Sequence, residues 1–418
     1  MLILYRICTI FILCFLPLVL IYRLIKKKDN YKSIIEKLCI NQKKHTKEKL
    51  IWFHGASVGE LQSIVPLLEI YEKNKNIKKI LVTSNTLSSY QVISNLKIKK
   101  VVHQYFPLDL NHFSKKFIKH WNPSVAFFID SEIWPNMILN LKKNKVPIIL
   151  LNGRITKRSF KKWKMFSSFA NILFSKFDLC LSSSKNSTKY LKNLGAKNIK
   201  NLGNLKFTQS EKKNSDIKKN LKKFIKTKKV WCASSTHFDE EKLCGLIHQK
   251  LKKRYKNLLT IIIPRHVNRI NTIKKDLLDL GLNIHLDEPK KNINRNTDIY
   301  LVNTYGKTKT FYSNCKNVFL GGSIINHGGQ NPLEATRFGC NILHGKNVSN
   351  FQEIYKFLSD NNISQSVNSI SDFIKKLDKL FSIKQTTTNT IKNRIGLIGS
   401  KVLSSTHKEI NLFLKNDF

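Results

Sequence analysis

From Lys49 onward, short runs of β-branched and aliphatic residues alternate with stretches in which apolar positions recur at helical spacing. In the first half the runs at residues 50–53, 80–83, 126–129, 147–151 and 179–182 predict strands. In the second half the runs at 230–233, 259–263, 299–302, 318–320 and 341–343 do the same. Strands that alternate with amphipathic helices predict two parallel α/β sheets. Between them, residues 210–229 are polar and Lys-rich, which suits a linker followed by a surface helix. Pro66 falls inside the helix expected after the first strand and should kink it.

Ahead of Lys49 the pattern is different. Residues 7–22 are almost wholly apolar, broken by Pro17, and are followed by Arg23 and Lys26-Lys27-Lys28. With most of the basic charge after the apolar core and no small-residue cleavage site, this reads as a membrane anchor rather than a cleaved signal; the alternative is a buried core helix, which would have to bury a helix apolar all round. As an anchor it is either a short span or a helix embedded in one leaflet. The basic cluster predicts that the rest of the chain stays on the cytoplasmic side.

Composition adds a formal charge of +47, from 74 Lys+Arg against 27 Asp+Glu. Lys dominates and is spread along the chain, with no Arg-rich recognition helix, so nucleic acid is not an expected partner. Such a surface favours anionic membranes and phosphorylated substrates. The eight cysteines are scattered without zinc or CxxC spacing and suit buried free thiols. No GxGxxG or GxxxxGK[ST] is present.

Candidate chemistry lies just after strand ends, where α/β proteins bind ligands. In His54-Gly-Ala-Ser-Val-Gly-Glu60, Ser57 and Glu60 have the spacing of a capping box. A carboxylate in that place also suits a general base. In the segment from Gly321-Gly322-Ser323 to His327-Gly328-Gly329-Gln330-Asn331-Pro332-Leu333-Glu334, glycine-freed amides at a helix start suit a phosphate. There Asn331 is the expected cap and Pro332 the first helical residue; Glu334 is a second cap residue or a ribose contact. Pro264-Arg265-His266 offers a guanidinium that forks onto phosphate or carboxylate, or else makes a surface ion pair. Ser234-Ser-Thr-His237 with Glu240 and Glu241 reads locally as an acidic first turn of a helix. Glu132-Ile-Trp-Pro-Asn136 and Asn152-Gly-Arg154 follow two further strands.

Taken in order, these motifs, with Gly203-Asn-Leu-Lys206-Phe and Asn350-Phe351, resemble those of the Kdo transferases. These enzymes move 3-deoxy-manno-octulosonic acid (Kdo) from CMP-Kdo to the lipid A precursor of lipopolysaccharide. The resemblance runs from about residue 50 to 355. It implies an inverting GT-B enzyme without metal or other cofactor, built of two Rossmann-like domains facing across a cleft. It implies an anchor over residues 1–28, an acceptor domain over 29–220 and a CMP-sugar domain over 221–418, with the last helix packing back on the first domain. Glu60 is then the catalytic base. Arg265, His266, Gly322, Ser323, Gly328, Gly329, Asn331 and Glu334 are expected to hold CMP. Ser57, Gly59, Glu132, Arg154, Lys206 and His237 are expected to contact acceptor or sugar. The family usually has His where Gln330 stands. Two other readings remain: a different GT-B transferase, and a membrane-tethered polyanion-binding protein.

Overall fold

The computed structural model describes residues 1–40, 48–209, 217, 219–289, 292–382 and 386–415. It divides into two compact units, Met1–Gln209 with Ile398–Phe418, and Ser210–Leu397. This division differs from boundaries after residues 28 and 220. The leader is bonded to the first unit, and Ile217 packs with Ile225, Cys232 and Leu259 in the core of the second.

In unit 1 the strands are β1 (Leu50–His54), β2 (Lys79–Ser84), β3 (Val101–Tyr105), β4 (Val125–Ile129), β5 (Ile148–Gly153), β6 (Leu179–Ser182) and β7 (Ile199–Asn201). They lie in the order β3-β2-β1-β4-β5-β6-β7, all parallel. The central strands β1, β4 and β5 are buried at every position, as strands covered by helices on both faces must be. One face packs Trp52, Phe117 and Phe128, and the other packs Phe53, Leu61, Phe127 and Leu151. Val402, Ile410 and Leu414, from the helix Thr386–Lys415, join the second of these clusters.

In unit 2 the strands are β8 (Lys229–Thr236), β9 (Leu258–Pro264), β10 (Ile284–Leu286), β11 (Ile299–Leu301), β12 (Asn317–Leu320), β13 (Asn341–His344) and β14 (Ser364–Ser366). Their order is β10-β11-β9-β8-β12-β13-β14, again all parallel. Each sheet therefore reverses its winding once, between β1 and β4 in unit 1 and between β8 and β12 in unit 2. Parallel sheets bind ligands outside the strand C-termini at such reversals, where two successive connections leave in opposite directions and open a crevice.

The helix Val58–Lys73 continues through Pro66. The leader forms a helix, Leu2–Ile25, bent by 53° between Leu2–Phe11 and Leu13–Ile25. Pro17 lies just beyond the bend, and its ring presses on the carbonyl of Leu13 while removing that carbonyl's helical donor. Among the described residues no single helix is long and apolar enough to cross a membrane; the two bent halves reach that length and composition only when taken together. Six of the eight cysteines are buried and free, while Cys8 and Cys14 are exposed on the leader.

Candidate active site

At the reversal in unit 1, β1 ends at His54 and runs through Gly55 into the helix Val58–Lys73. Gly55 is closely packed, since a Cβ there would meet Ile129 Cδ1 and Leu61 Cδ2 at 3.1 Å. The capping box is present, with Ser57 and Glu60 bonded reciprocally. One Glu60 oxygen accepts from the Ala56 N–H at 2.7 Å, and the other from the Ser57 hydroxyl at 2.8 Å. The carboxyl is half-buried and pushed up to about 7, mainly by burial. Asp130 and Glu132 add repulsion, which the bonds from Ser57 and Ala56 partly offset. A carboxyl with a pKa near neutrality suits proton transfer.

The neighbouring strand supplies the rest. Asp130 follows β4 in a left-handed conformation (φ +56°). Its carboxylate accepts from Lys206 Nζ at 2.6 Å and from the Asn152 side chain, while its carbonyl accepts from the Arg154 N–H. Asn152 in turn takes the Leu205 N–H at 2.8 Å, which ties the loop carrying Lys206 to the end of β5. Glu132 accepts from Trp134 Nε1 at 2.8 Å and lies 3.1 Å from His54 Nε2. The other ring nitrogen of His54 is 3.0 Å from Thr83 Oγ1, and the ring stacks on Phe106. Three carboxylates, one lysine and one buried histidine therefore sit around the β1–β4 reversal. The sequence singled out Glu60, Glu132, Arg154 and Lys206, but not Asp130 or His54 as site residues. The signal for Asp130 was its place directly after a strand beside β1. Gly59 differs from Gly55: a Cβ there would meet nothing within 4 Å.

At the reversal in unit 2, Glu240 has an unexpected role. It starts the helix Glu240–Lys252 but is not simply an acidic first-turn residue. Its carboxylate is buried and crosses to β12, accepting from the N–H groups of Gly322 (2.7 Å), Ser323 (3.2 Å) and Ile324 (3.1 Å), and from His237 N–H (3.0 Å). Gly321 permits this approach, because a Cβ there would come within 2.6 Å of the Ser235 carbonyl oxygen. The Ser323 hydroxyl is buried and bonds the Leu320 carbonyl and the Gly345 N–H. The Gly329 N–H is given to the Gly322 carbonyl.

These bonds correct the expected phosphate loop. The amides of Gly322, Ser323 and Gly329 are consumed inside the protein. The helix there is also only Leu333–Arg337, starting after Pro332, with the Asn331 side chain taking the Leu333 N–H. Gly328, at φ +98°, packs against Asn350. Glu334 is half-buried in the first turn.

What remains open to a ligand is cationic. Arg265 and His266 follow β9 and are exposed, and among the described residues Arg265 has no carboxylate within ion-pair distance. By contrast, Arg269 is committed to a two-pronged pair with Glu241. The His237 ring lies 4.2 Å from that of His327 and 5.6 Å from that of His266, and Gln330 contacts its Nε2. His237 is pushed down to about 4, by burial first and then by His327, His266, Arg265 and Arg269. Among the described residues no group of three or more His, Cys, Asp or Glu could hold a metal ion.

Residues 32–209 match the family model described as 3-deoxy-D-manno-octulosonic-acid transferase (kdotransferase). A 3-deoxy-D-manno-octulosonic acid transferase of Rickettsia bellii is 30% identical over 363 residues, covering 87% of this chain and 86% of the relative. The chain belongs to the Kdo transferase family. It is accordingly a glycosyltransferase. The Haemophilus influenzae member is 27% identical over 84% of this chain and 83% of its own. Among solved structures, UDP-GlcNAc 2-epimerase from Neisseria meningitidis bound to UDP-GlcNAc superposes with a TM-score of 0.58. It is 12% identical and covers 86% of this chain and all of its own, a likeness of fold alone.

Proposed function

We propose that this Kdo transferase moves 3-deoxy-D-manno-octulosonic acid from its CMP-activated form to a hydroxyl of the lipid A precursor (lipid IVA), with inversion at the anomeric carbon. The observation that carries the reading is Glu60: a carboxyl held by the Ala56 N–H and Ser57 hydroxyl at a sheet reversal and pushed up to about 7. In a single displacement the acceptor hydroxyl loses its proton as its oxygen bonds the anomeric carbon, and CMP leaves with the electron pair of the broken bond. Glu60 takes that proton. Gly59 leaves room for the acceptor beside it, and Lys206, Arg154, Glu132 and Ser57 orient acceptor and sugar.

Unit 2 holds CMP. Arg265, His266 and His237 face the phosphate, and they stabilise the charge that develops on the leaving group. Gly322, Ser323, Gly328 and Gly329 shape the loop under it, while Asn331 and Glu334 lie at its far end. The residues at hand supply these charges without a metal or cofactor. Work at the cytoplasmic face of the inner membrane suits an acylated acceptor and the exposed Lys26, Lys27 and Lys28. The test is CMP release from CMP-Kdo with and without lipid IVA, in excess EDTA. Release that depends on lipid IVA supports the reading, and release abolished by EDTA and restored by Mg²⁺ contradicts its metal-free part.

A further inference from the structure

The leader helix is amphipathic the wrong way round for a water-exposed helix. Its half-buried positions are Leu2, Tyr5, Arg6, Thr9, Leu16, Leu20 and Arg23, a helical stripe that includes four polar side chains. The polar members make bonds: Tyr5 donates to Asp109 at 2.8 Å, and Arg6 donates to Asn136 and Asn111 at 3.1 and 3.2 Å. At the other end Arg23 pairs with buried Asp29, which Lys37 and Ser33 also hold. Asp109 is itself fixed in unit 1, accepting from the N–H groups of Asn136 and Met137. The opposite stripe, Ile3, Ile7, Phe11, Phe15, Leu18 and Ile25, is exposed and wholly apolar.

A helix that turns its polar face to the protein and its apolar face outward requires an apolar medium outside. Both ends are tied to one unit, so the first turn cannot lie across a bilayer from the last. A second apolar patch continues the surface. The Tyr5 ring approaches Phe169, whose helix Ser167–Phe174 also carries exposed Ile172. Just before that helix, Met165 is 77% exposed and Phe166 is exposed beside it. The preceding helix, Lys157–Lys164, sets Lys157, Arg158, Lys161, Lys162 and Lys164 in solvent, the pattern of a surface helix at anionic headgroups.

We propose that the leader is docked lengthwise on unit 1 and lies in a single leaflet, and that Met165, Phe166 and Ile172 form a second apolar contact with the same anionic lipid surface. This rests on the membrane setting proposed above, but its readouts involve no sugar transfer. They can therefore fail or succeed whatever the donor and acceptor prove to be.

In a full-length Cys8→Ser/Cys14→Ser background, a cysteine is added ahead of Met1, and a control cysteine replaces exposed Lys253. Membrane-impermeant maleimide is applied to inner-membrane vesicles of each orientation. Both cysteines should label from the same side; labelling of the N-terminal cysteine only from the opposite side would overturn the one-leaflet docking. In the same background, Met165→Cys carries an environment-sensitive dye. Vesicles of phosphatidylglycerol and phosphatidylcholine should shift its emission to the blue, and brominated acyl chains should quench it. No shift would overturn the second contact. So would a shift that follows protein concentration rather than lipid, which would assign the face to a second copy of the chain.

Discussion

Burial first, and then Asp130 and Glu132, push the Glu60 carboxyl up to about 7, the range that suits a base at neutral pH. Because the proton acceptor must be ionised, kcat/KM should rise with pH through about 7 and fall away below it. Glu132 contributes part of the upward push, so Glu132→Gln should move this acid limb to lower pH; an unmoved limb would separate the two carboxylates. Gly59 gives a cleaner test of ligand approach. It lies inside a helix with open space in front of it, so Gly59→Ala should keep or raise stability, by up to about 0.5–1 kcal/mol. It should nonetheless weaken the use of acceptor, read as a higher KM for lipid IVA at an unchanged or higher Tm. In unit 2, His237 is pushed down to about 4, by burial first and then by the cationic groups around it. A bound phosphate reverses that field and raises its pKa, so CMP binding at pH 5–6 should take up protons. Calorimetry in buffers of different ionisation enthalpy measures this, and binding without proton uptake would remove His237 from the phosphate site. These residues differed in how legible they were. Ser57 and Glu60 announce a cap by spacing alone. The raised pKa of Glu60 depends on burial in the folded unit and then on Asp130 and Glu132, some seventy residues away in the chain, and no local pattern carries that.

At the scale of elements, the ten strands expected from the sequence correspond to the ten inner strands of the two sheets. The four that were missed, β3, β7, β10 and β14, are the four edges. Edge strands here are short or half-exposed, as in Ile199–Asn201 and Ile284–Leu286. They therefore lack the continuous apolar runs that two-sided burial imposes. The Gly321–Ser323 turn shows the opposite difficulty, since its glycines read as a phosphate loop. Their amides instead serve Glu240, and the glycine is needed because β12 passes so close to Ser235. Glu240→Ala would leave several buried N–H groups without partners, each costing about 1–3 kcal/mol. A loss on the order of 3–5 kcal/mol is expected in denaturant unfolding, with weaker CMP binding. A loss below about 1 kcal/mol would mean that the clamp is dispensable.

At the scale of the whole molecule, two parallel-sheet units, wound differently on one side, each place their polar clusters at the reversal of the sheet. Unit 1 offers carboxylates and unit 2 offers cations. That division suits a transfer in which one partner must lose a proton and the other must part with a phosphate. The leader, legible as apolar, was not legible as docked, because its contacts to Asp109, Asn111 and Asn136 lie a hundred residues away. Whether Glu60 is the base for Kdo transfer is decided most directly by one comparison. Single-turnover transfer from CMP-Kdo to lipid IVA is measured for the wild type and for Glu60→Gln, with CMP affinity and Tm taken on the same samples. The Glu60→Gln rate should be lower by about 10²–10⁴, with CMP affinity and Tm close to wild type. A Glu60→Gln enzyme that transfers at near the wild-type rate would contradict that role and leave Glu60 a helix cap.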